Sequence, residues 1–204
     1  MSVPALRFKD DDGGDFSEWE EKSLGQICNI KRGASPRPIA DKKWFSDKSN
    51  IGWVRISDVS KSNKYLNNTE QYLSSEGVGK SRFVAKGNII MSICATIGKP
   101  IYTNFDVCIH DGFVVFEELQ IHHEFLYYYL MLIEKSWYQY GQPGSQVNLN
   151  SDIVSNEAIS IPNKKEQTKI ANFLTAIDDK IIHTQTQLAA VKEYKQGLLQ
   201  QMFV

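Results

Sequence analysis

Residues 163–202 read NKKEQTKIANFLTAIDDKIIHTQTQLAAVKEYKQGLLQQM, and this stretch decides the architecture. Ile170, Leu174, Ile177, Ile181, Thr184, Leu188, Val191, Lys195, Leu198 and Met202 alternate at spacings of four and three. That is a heptad seam with polar interruptions at Thr184 and Lys195. No proline or glycine enters before Gly197, and Asn163 with Glu166 three residues on suits a capped start. A helix of about forty residues is ~60 Å long at 1.5 Å per residue. The preceding residues could hardly cover such a length, so the seam is expected to meet a partner helix. Its apolar positions Ile170, Leu174, Ile177, Ile181, Leu188, Val191, Leu198 and Met202 are the expected dimer interface.

Working back from this helix, a short strand at 158–161 ends at Pro162. At 122–140, Phe125, Leu126, Tyr129, Leu130, Ile133 and Trp137 recur at helical spacing, which predicts a helix packed on a sheet. Stretches 89–95, 100–103 and 107–116 are rich in β-branched and aromatic residues and predict neighbouring strands of one sheet. Trp53 to Ile56 reads as a strand, and Ser74-Ser75-Glu76 as the start of a helical turn. Leu24 to Ile30 suits either a strand or a short helix. Lys31-Arg32-Gly33-Ala34-Ser35-Pro36-Arg37-Pro38 is a loop, because two prolines and a glycine break any element there. The acidic run Asp10 to Asp15 marks a loose entry. The chain therefore divides into a loose segment 1–15, a globular domain 16–162 and a long helix 163–204. The fold class is α+β, a mixed sheet with packed helices followed by one long coiled-coil helix.

Composition excludes more than it selects. With 204 residues, 42% apolar and 11% aromatic, the chain can bury a real core. The net charge of −1 does not point to nucleic acid, but its distribution does. Residues 22–82 carry twelve basic and five acidic groups, whereas 1–21 carry two and seven and 83–162 carry three and eight. Neutralising phosphates takes a positive face rather than a positive total. Cys28, Cys94 and Cys108 share no metal-ligand spacing and read as free thiols in a reducing cytosol. The absence of an apolar span argues for a cytoplasmic location without membrane contact.

Catalytic signatures are missing. There is no Walker loop, no G-x-G-x-x-G, and no Asn-Pro or Asp-Pro pair such as an amino-methyltransferase uses. Four D/E-x-K triplets, at Glu20–Lys22, Asp41–Lys43, Asp178–Lys180 and Glu193–Lys195, are what chance gives in a chain with this much lysine and acid. His110-Asp111 lacks a matching nucleophile, and His122-His123 diverge on a helix. The chain reads as a non-enzyme that binds no cofactor or metal.

Several segments resemble the specificity subunits of Type I restriction-modification systems. Leu6-Arg7-Phe8, Glu18 to Lys22 and Leu24 to Ile27 resemble the opening of a specificity repeat. Ile30 to Pro36 is similar to its Arg-Gly-x-x-Pro loop, and Gly87 to Ser92 with Thr96 to Lys99 to its central strand and turn. Gly144-Ser145-Gln146-x-Asn148-Leu149 resembles the element closing a recognition domain. Ile159 to Pro162, Glu166-Gln167, Ile170-Ala171, Leu174, Asp178 and Gly197 to Gln201 resemble the spacer helix.

The resemblance implies a protein that reads double-stranded DNA. It would recruit modification subunits that methylate adenine with S-adenosylmethionine and, indirectly, restriction subunits that use ATP and Mg²⁺. Full-length members carry two recognition domains and two helices, so one of each implies a half-subunit that dimerises or a piece of a longer chain. Positioning contacts are expected from Lys31, Arg32, Lys42, Lys43, Lys61, Lys64 and Lys80, with Arg37, Arg55 and Arg82 also able to reach guanine edges. Gln142, Ser145, Gln146 and Asn148 form a second polar loop that either reads adenine or merely shapes a turn. Two other classes stay open: a coiled-coil interaction module, and a DNA-binding decoy or regulator that recruits no methyltransferase.

Overall fold

The computed structural model describes residues 4–140 and 149–203. Its centre is a five-stranded sheet, and burial on both faces explains why its three inner strands read as nearly continuous apolar runs. The strands are β2 (Asn29–Arg32), β10 (Phe113–Glu117), β7 (Ile89–Ser92), β8 (Pro100–Thr103) and β4 (Tyr65–Leu66), in that spatial order. All are antiparallel except the parallel pair β4 and β8. Ile89, Met91, Tyr102, Val114 and Phe116 face a helical layer, while Ile90, Ile101, Phe113 and Val115 face a second sheet. A strand covered on both faces is largely apolar, and the buried hydroxyls of Ser92 and Thr103, at the ends of β7 and β8, donate to backbone carbonyls.

The helical layer contains α1 (Leu24–Ile27), α4 (His123–Leu132) and α5 (Ser151–Asn156). Leu24, Ile27, Phe125, Leu126, Leu130 and Val154 are its buried contacts, joined by Trp137 from a 3-10 segment, Glu134–Tyr140. A two-stranded ribbon of β1 (Glu20–Ser23) and β11 (Ala158–Ile161) brings the two ends of the domain together.

The second sheet has order β5-β3-β9-β6, from β5 (Gln71–Tyr72), β3 (Gly52–Val54), β9 (Val107–Ile109) and β6 (Arg82–Val84). Val54, Val84, Val107 and Ile109 point inward against the central sheet. Trp53 and Cys108 point outward under Trp44 and Leu73, contributed by the 3-10 turn Lys42–Trp44 and the segment before α3 (Ser75–Val78).

Three expectations change. Stretch 107–116 is not one strand: β9 and β10 lie in different sheets, and the chain crosses between them at His110-Asp111-Gly112. Trp53 to Ile56 ends as a strand at Val54, because the Arg55 amide donates to the Asp58 carboxylate at 2.8 Å and opens α2 (Ile56–Lys61). The entry segment is not loose in its described part. Arg7 reaches the buried Glu166 with two hydrogen bonds of 3.1 and 2.7 Å, Lys9 bridges Asp15, and Phe8 meets Phe173 edge-on. An acidic run looks unstructured in sequence because its partners, Lys9 and Lys169, lie outside it.

Helix α6 (Lys164–Met202) starts with the Asn163 side chain accepting from the Glu166 amide. The Glu166 carboxylate does not reach back as a capping box would, since Arg7 holds it. Glu166, Gln167 and Ala171 are buried against the domain, and Ile170 packs on the same core. Ile170 is therefore an intramolecular contact and not part of an open seam, and Leu174 is half-buried. Beyond Asp178 every side chain through Met202 is exposed apart from the half-buried Gly197, a free length of ~36 Å.

Candidate nucleic-acid interface

The Lys31–Pro38 loop is fastened to the β9–β10 crossing by its own backbone. The Gly33 amide donates to Phe113 at 2.9 Å and the Ala34 amide to Ile109 at 3.0 Å. A side chain at position 33 would collide with the His110 carbonyl, so glycine is required by the close approach of two backbones. Ser35 Oγ donates to Asp111 Oδ1 at 2.8 Å, Arg32 Nε donates to the Asp111 carbonyl at 2.8 Å, and Trp44 Nε1 holds the Pro38 carbonyl at 2.8 Å. Chain flexibility is thus removed from a loop whose outermost side chain, Arg37, remains 82% exposed with Asp111 at 4.0 Å.

Four arginines gather around this anchor. Arg82 Nε donates to the Arg32 carbonyl at 3.3 Å, which places β6 beside the loop. Arg55, at the start of α2, donates from Nε and Nη2 to Gln71 Oε1 at 3.1 and 2.7 Å. A cleft of about 670 Å³ lies between residues 35–39, Trp53, Arg55, His110 and Asp111. A second, of about 510 Å³, is lined by Arg55, Ile56, Ser57, Glu70, Gln71 and His110. Arg55 and His110 belong to both walls.

Electrostatics follow from these contacts. The Ser35 hydroxyl lowers the Asp111 carboxyl below its ordinary value despite partial burial, so Asp111 is ionised at neutral pH. Burial pushes the His110 imidazole down, opposed by Asp111 and aided by Arg55. Its Nδ1 accepts from the Gly112 amide at 2.9 Å, which leaves the ring hydrogen on Nε2.

The other expected contacts fall into distinct groups. Lys42 and Lys43 are exposed on the 3-10 turn under which Trp44 is buried, and Lys43 stacks 4.3 Å from the Trp44 ring centre. Lys80 is exposed after α3, which packs on that same turn. Lys61 is exposed at the C-terminal end of α2. Lys31 is held by Glu117 across the sheet at 2.7 Å.

Lys64 does not fit the expectation. Only 13% exposed, its ammonium pairs with Glu124 at 2.7 Å and Asp178 at 3.8 Å and is ringed by Tyr65, Tyr127 and Tyr128. Burial opposes its charge, but Glu124 and Tyr128 outweigh burial and raise its pKa. It is a structural cation between α4 and α6, not an exposed phosphate contact. Gln142, Ser145, Gln146 and Asn148 lie outside the described residues.

Sequence reading missed Gln71, Asp111 and Ser35 as parts of this site, and weighed His110 only as a catalyst or ligand. Gln71 reaches Arg55 because β5 pairs with β3 in a register that opposes Trp53 with Gln71, and no local pattern announces that. Among the described residues no group of three or more His, Cys, Asp or Glu could hold a metal, and no helix is long and apolar enough to cross a membrane.

Comparison with known proteins agrees with this architecture. Residues 16–193 match the family described as Type I restriction modification DNA specificity domain. The chain is 26% identical over 205 residues to the Type I restriction enzyme HindI specificity subunit of Haemophilus influenzae, covering 93% of this chain and 41% of that protein. It is 24% identical to the MjaIX specificity subunit of Methanocaldococcus jannaschii, covering 97% and 46%. It thus spans less than half the length of these curated relatives. Among solved structures, the HsdS subunit of Thermoanaerobacter tengcongensis aligns with a TM-score of 0.66 at 19% identity, over 86% of this chain and 41% of that one. The S subunit of M. genitalium aligns at 0.63 and 14%, over 91% and 44%. A chain from a type I R-M system, studied for its complex assembly and conformational transition, aligns at 0.71 and 19%, over 90% and 44%. With both the sequence match and the shared α+β fold in place, the chain belongs to the Type I restriction-modification DNA specificity domain family.

Proposed function

We propose that this chain reads one half of a bipartite DNA site for a Type I restriction-modification complex and does no chemistry of its own. The observation that carries the reading is the arginine cluster, Arg32, Arg37, Arg55 and Arg82, set around a backbone-anchored loop where the chain crosses between the two sheets. Donor-rich side chains on a rigid frame suit the acceptor-rich edge of a base pair, and preordering the loop removes the entropy that docking would otherwise cost. Lys42, Lys43, Lys61 and Lys80, exposed on neighbouring elements, suit phosphates.

Methyl transfer then falls to modification subunits carrying S-adenosylmethionine, and ATP- and Mg²⁺-dependent cleavage to restriction subunits that join through them. The exposed part of α6 is the surface for a second helix. In a single-domain chain this is a second copy, antiparallel, giving a palindromic target with half-site centres less than about two DNA turns apart. Such a complex works in the cytoplasm.

Selection from randomised duplexes by the purified chain, followed by affinity against salt, tests the reading. A selected motif, and a log–log salt slope of several units, are expected. Equal affinity for all duplexes would overturn sequence reading. Failure to co-purify with an adenine methyltransferase subunit would favour a decoy.

A further inference from the structure

Arg55 is held by two of its N–H groups on one neutral side-chain oxygen, whereas Arg32 and Arg82 each donate only Nε–H to a backbone carbonyl. Lys31 is neutralised by Glu117, and Arg37 lies near Asp111. Arg55 is oriented by an amide oxygen: Nε–H and one Nη2–H go to Gln71 Oε1, and none of the ion pairs among the described residues includes it. A neutral acceptor fixes the guanidinium plane while leaving its charge uncancelled. Of the five N–H groups on arginine, three stay free, both on Nη1 and one on Nη2, at the end of the fork. Position reinforces this, because Arg55 and His110 form the wall shared by both clefts. His110 has its hydrogen on Nε2, since Nδ1 accepts from Gly112, and adds a neutral donor beside the arginine fork.

We infer that Arg55, positioned by Gln71 and flanked by His110, reads a guanine through its O6 and N7 acceptors, so that one base pair of the target is an obligatory G·C. The inference rests on the DNA-reading proposed above. Guanine is the base whose major-groove edge offers two acceptors and no donor, whereas adenine pairs an acceptor with an N6 donor that a guanidinium repels. Asp111, whose Oδ1 is occupied by Ser35 and whose Oδ2 lies 4.0 Å from Arg37, lines the same cleft and offers an acceptor for the cytosine N4 amine.

The test compares motifs selected from randomised duplexes by the wild-type chain and by Arg55→Lys and Gln71→Leu, each checked for fold by circular dichroism. Lysine keeps the charge, and with it the salt slope, but has no planar fork. Arg55→Lys is therefore expected to lower the preference for guanine at one position about tenfold or more while the rest of the motif persists. Gln71→Leu, which leaves the arginine in place, is expected to lower it partially. A position that stays strictly guanine in both variants, or a motif with no strict guanine, overturns the inference and leaves DNA reading intact. If Arg55→Lys unfolds, undiminished guanine preference in Gln71→Leu is the decisive contrary result. A wild-type chain that selects no motif removes the DNA-reading proposal itself.

Discussion

Replacing Lys64 with methionine is expected to destabilise the protein by ~2–3 kcal/mol and to loosen the root of the long helix. The ammonium sits 2.7 Å from Glu124 on α4 and 3.8 Å from Asp178 on α6, and donates to the Tyr128 hydroxyl at 3.2 Å. Breaking a fully buried pair by deleting one partner costs about 3–5 kcal/mol, and a charged hydrogen bond contributes about 1.5–3. Lys64 is nearly buried, but Glu124 and Asp178 are 26% and 34% exposed, so water recovers part of the loss and the lower end applies. Methionine keeps the aliphatic stem among Tyr65, Tyr127 and Tyr128, so little packing is lost with the charge. For a domain of this size the change corresponds to roughly 5–10 °C in Tm. Because the lysine pKa is raised on folding, its contribution is complete below the ordinary value of 10.5 and is lost as pH rises from there through the raised one. The difference between wild type and variant should therefore be constant from pH 6 to about 9. Thermal melts at three pH values, with amide exchange along residues 174–182, make the measurement. A loss under about 0.5 kcal/mol with unchanged exchange would refute the placement of Lys64 as a structural cation.

Replacing Lys42 and Lys43 together should weaken binding to every duplex alike and shallow the log–log salt slope by about two, read by fluorescence anisotropy. An unchanged slope would mean that the 3-10 turn faces away from DNA. Ile177→Asp with Ile181→Asp should convert a light-scattering dimer to monomer, because each carboxylate enclosed in a helix seam costs several kcal/mol, about enough to dissolve a micromolar contact. A monomeric wild type at micromolar concentration would end the dimer proposal. His110 has a depressed folded-state pKa, so the folded state resists its protonation and stability should decline as pH drops below 6.5. The decline should be shallower in His110→Gln, and parallel curves would contradict the burial of the neutral ring.

The long helix and the helical stretch before it were legible because their signal is local. Heptad spacing in 170–202 and the apolar spacing of Phe125, Leu126 and Leu130 are properties of one segment. The capped helix α5, opened by Asn150 accepting from the Ile153 amide at 2.8 Å, carried the same kind of signal and went unread. Stretch 107–116 resisted reading because a chain buried on both faces of two stacked sheets shows no alternation, so the crossing at His110–Gly112 leaves no trace in hydropathy.

The candidate site divides along the same line. Sequence alone determined that a positive segment, 22–82, contains a proline-stiffened loop and that residues 163–202 form a heptad-patterned helix, since charge, proline and heptad period act over a few residues. It could not distinguish Lys64 from Lys42, although both are lysines in that segment, because their roles depend on Glu124 and Asp178 arriving from 60 and more residues away. Nor could it pair Arg55 with Gln71 or set Asp111 under Ser35. Tertiary structure decided which cations are neutralised inside the fold and which face outward, because a charge is defined by its neighbours, and these neighbours come from strands and helices distant in sequence.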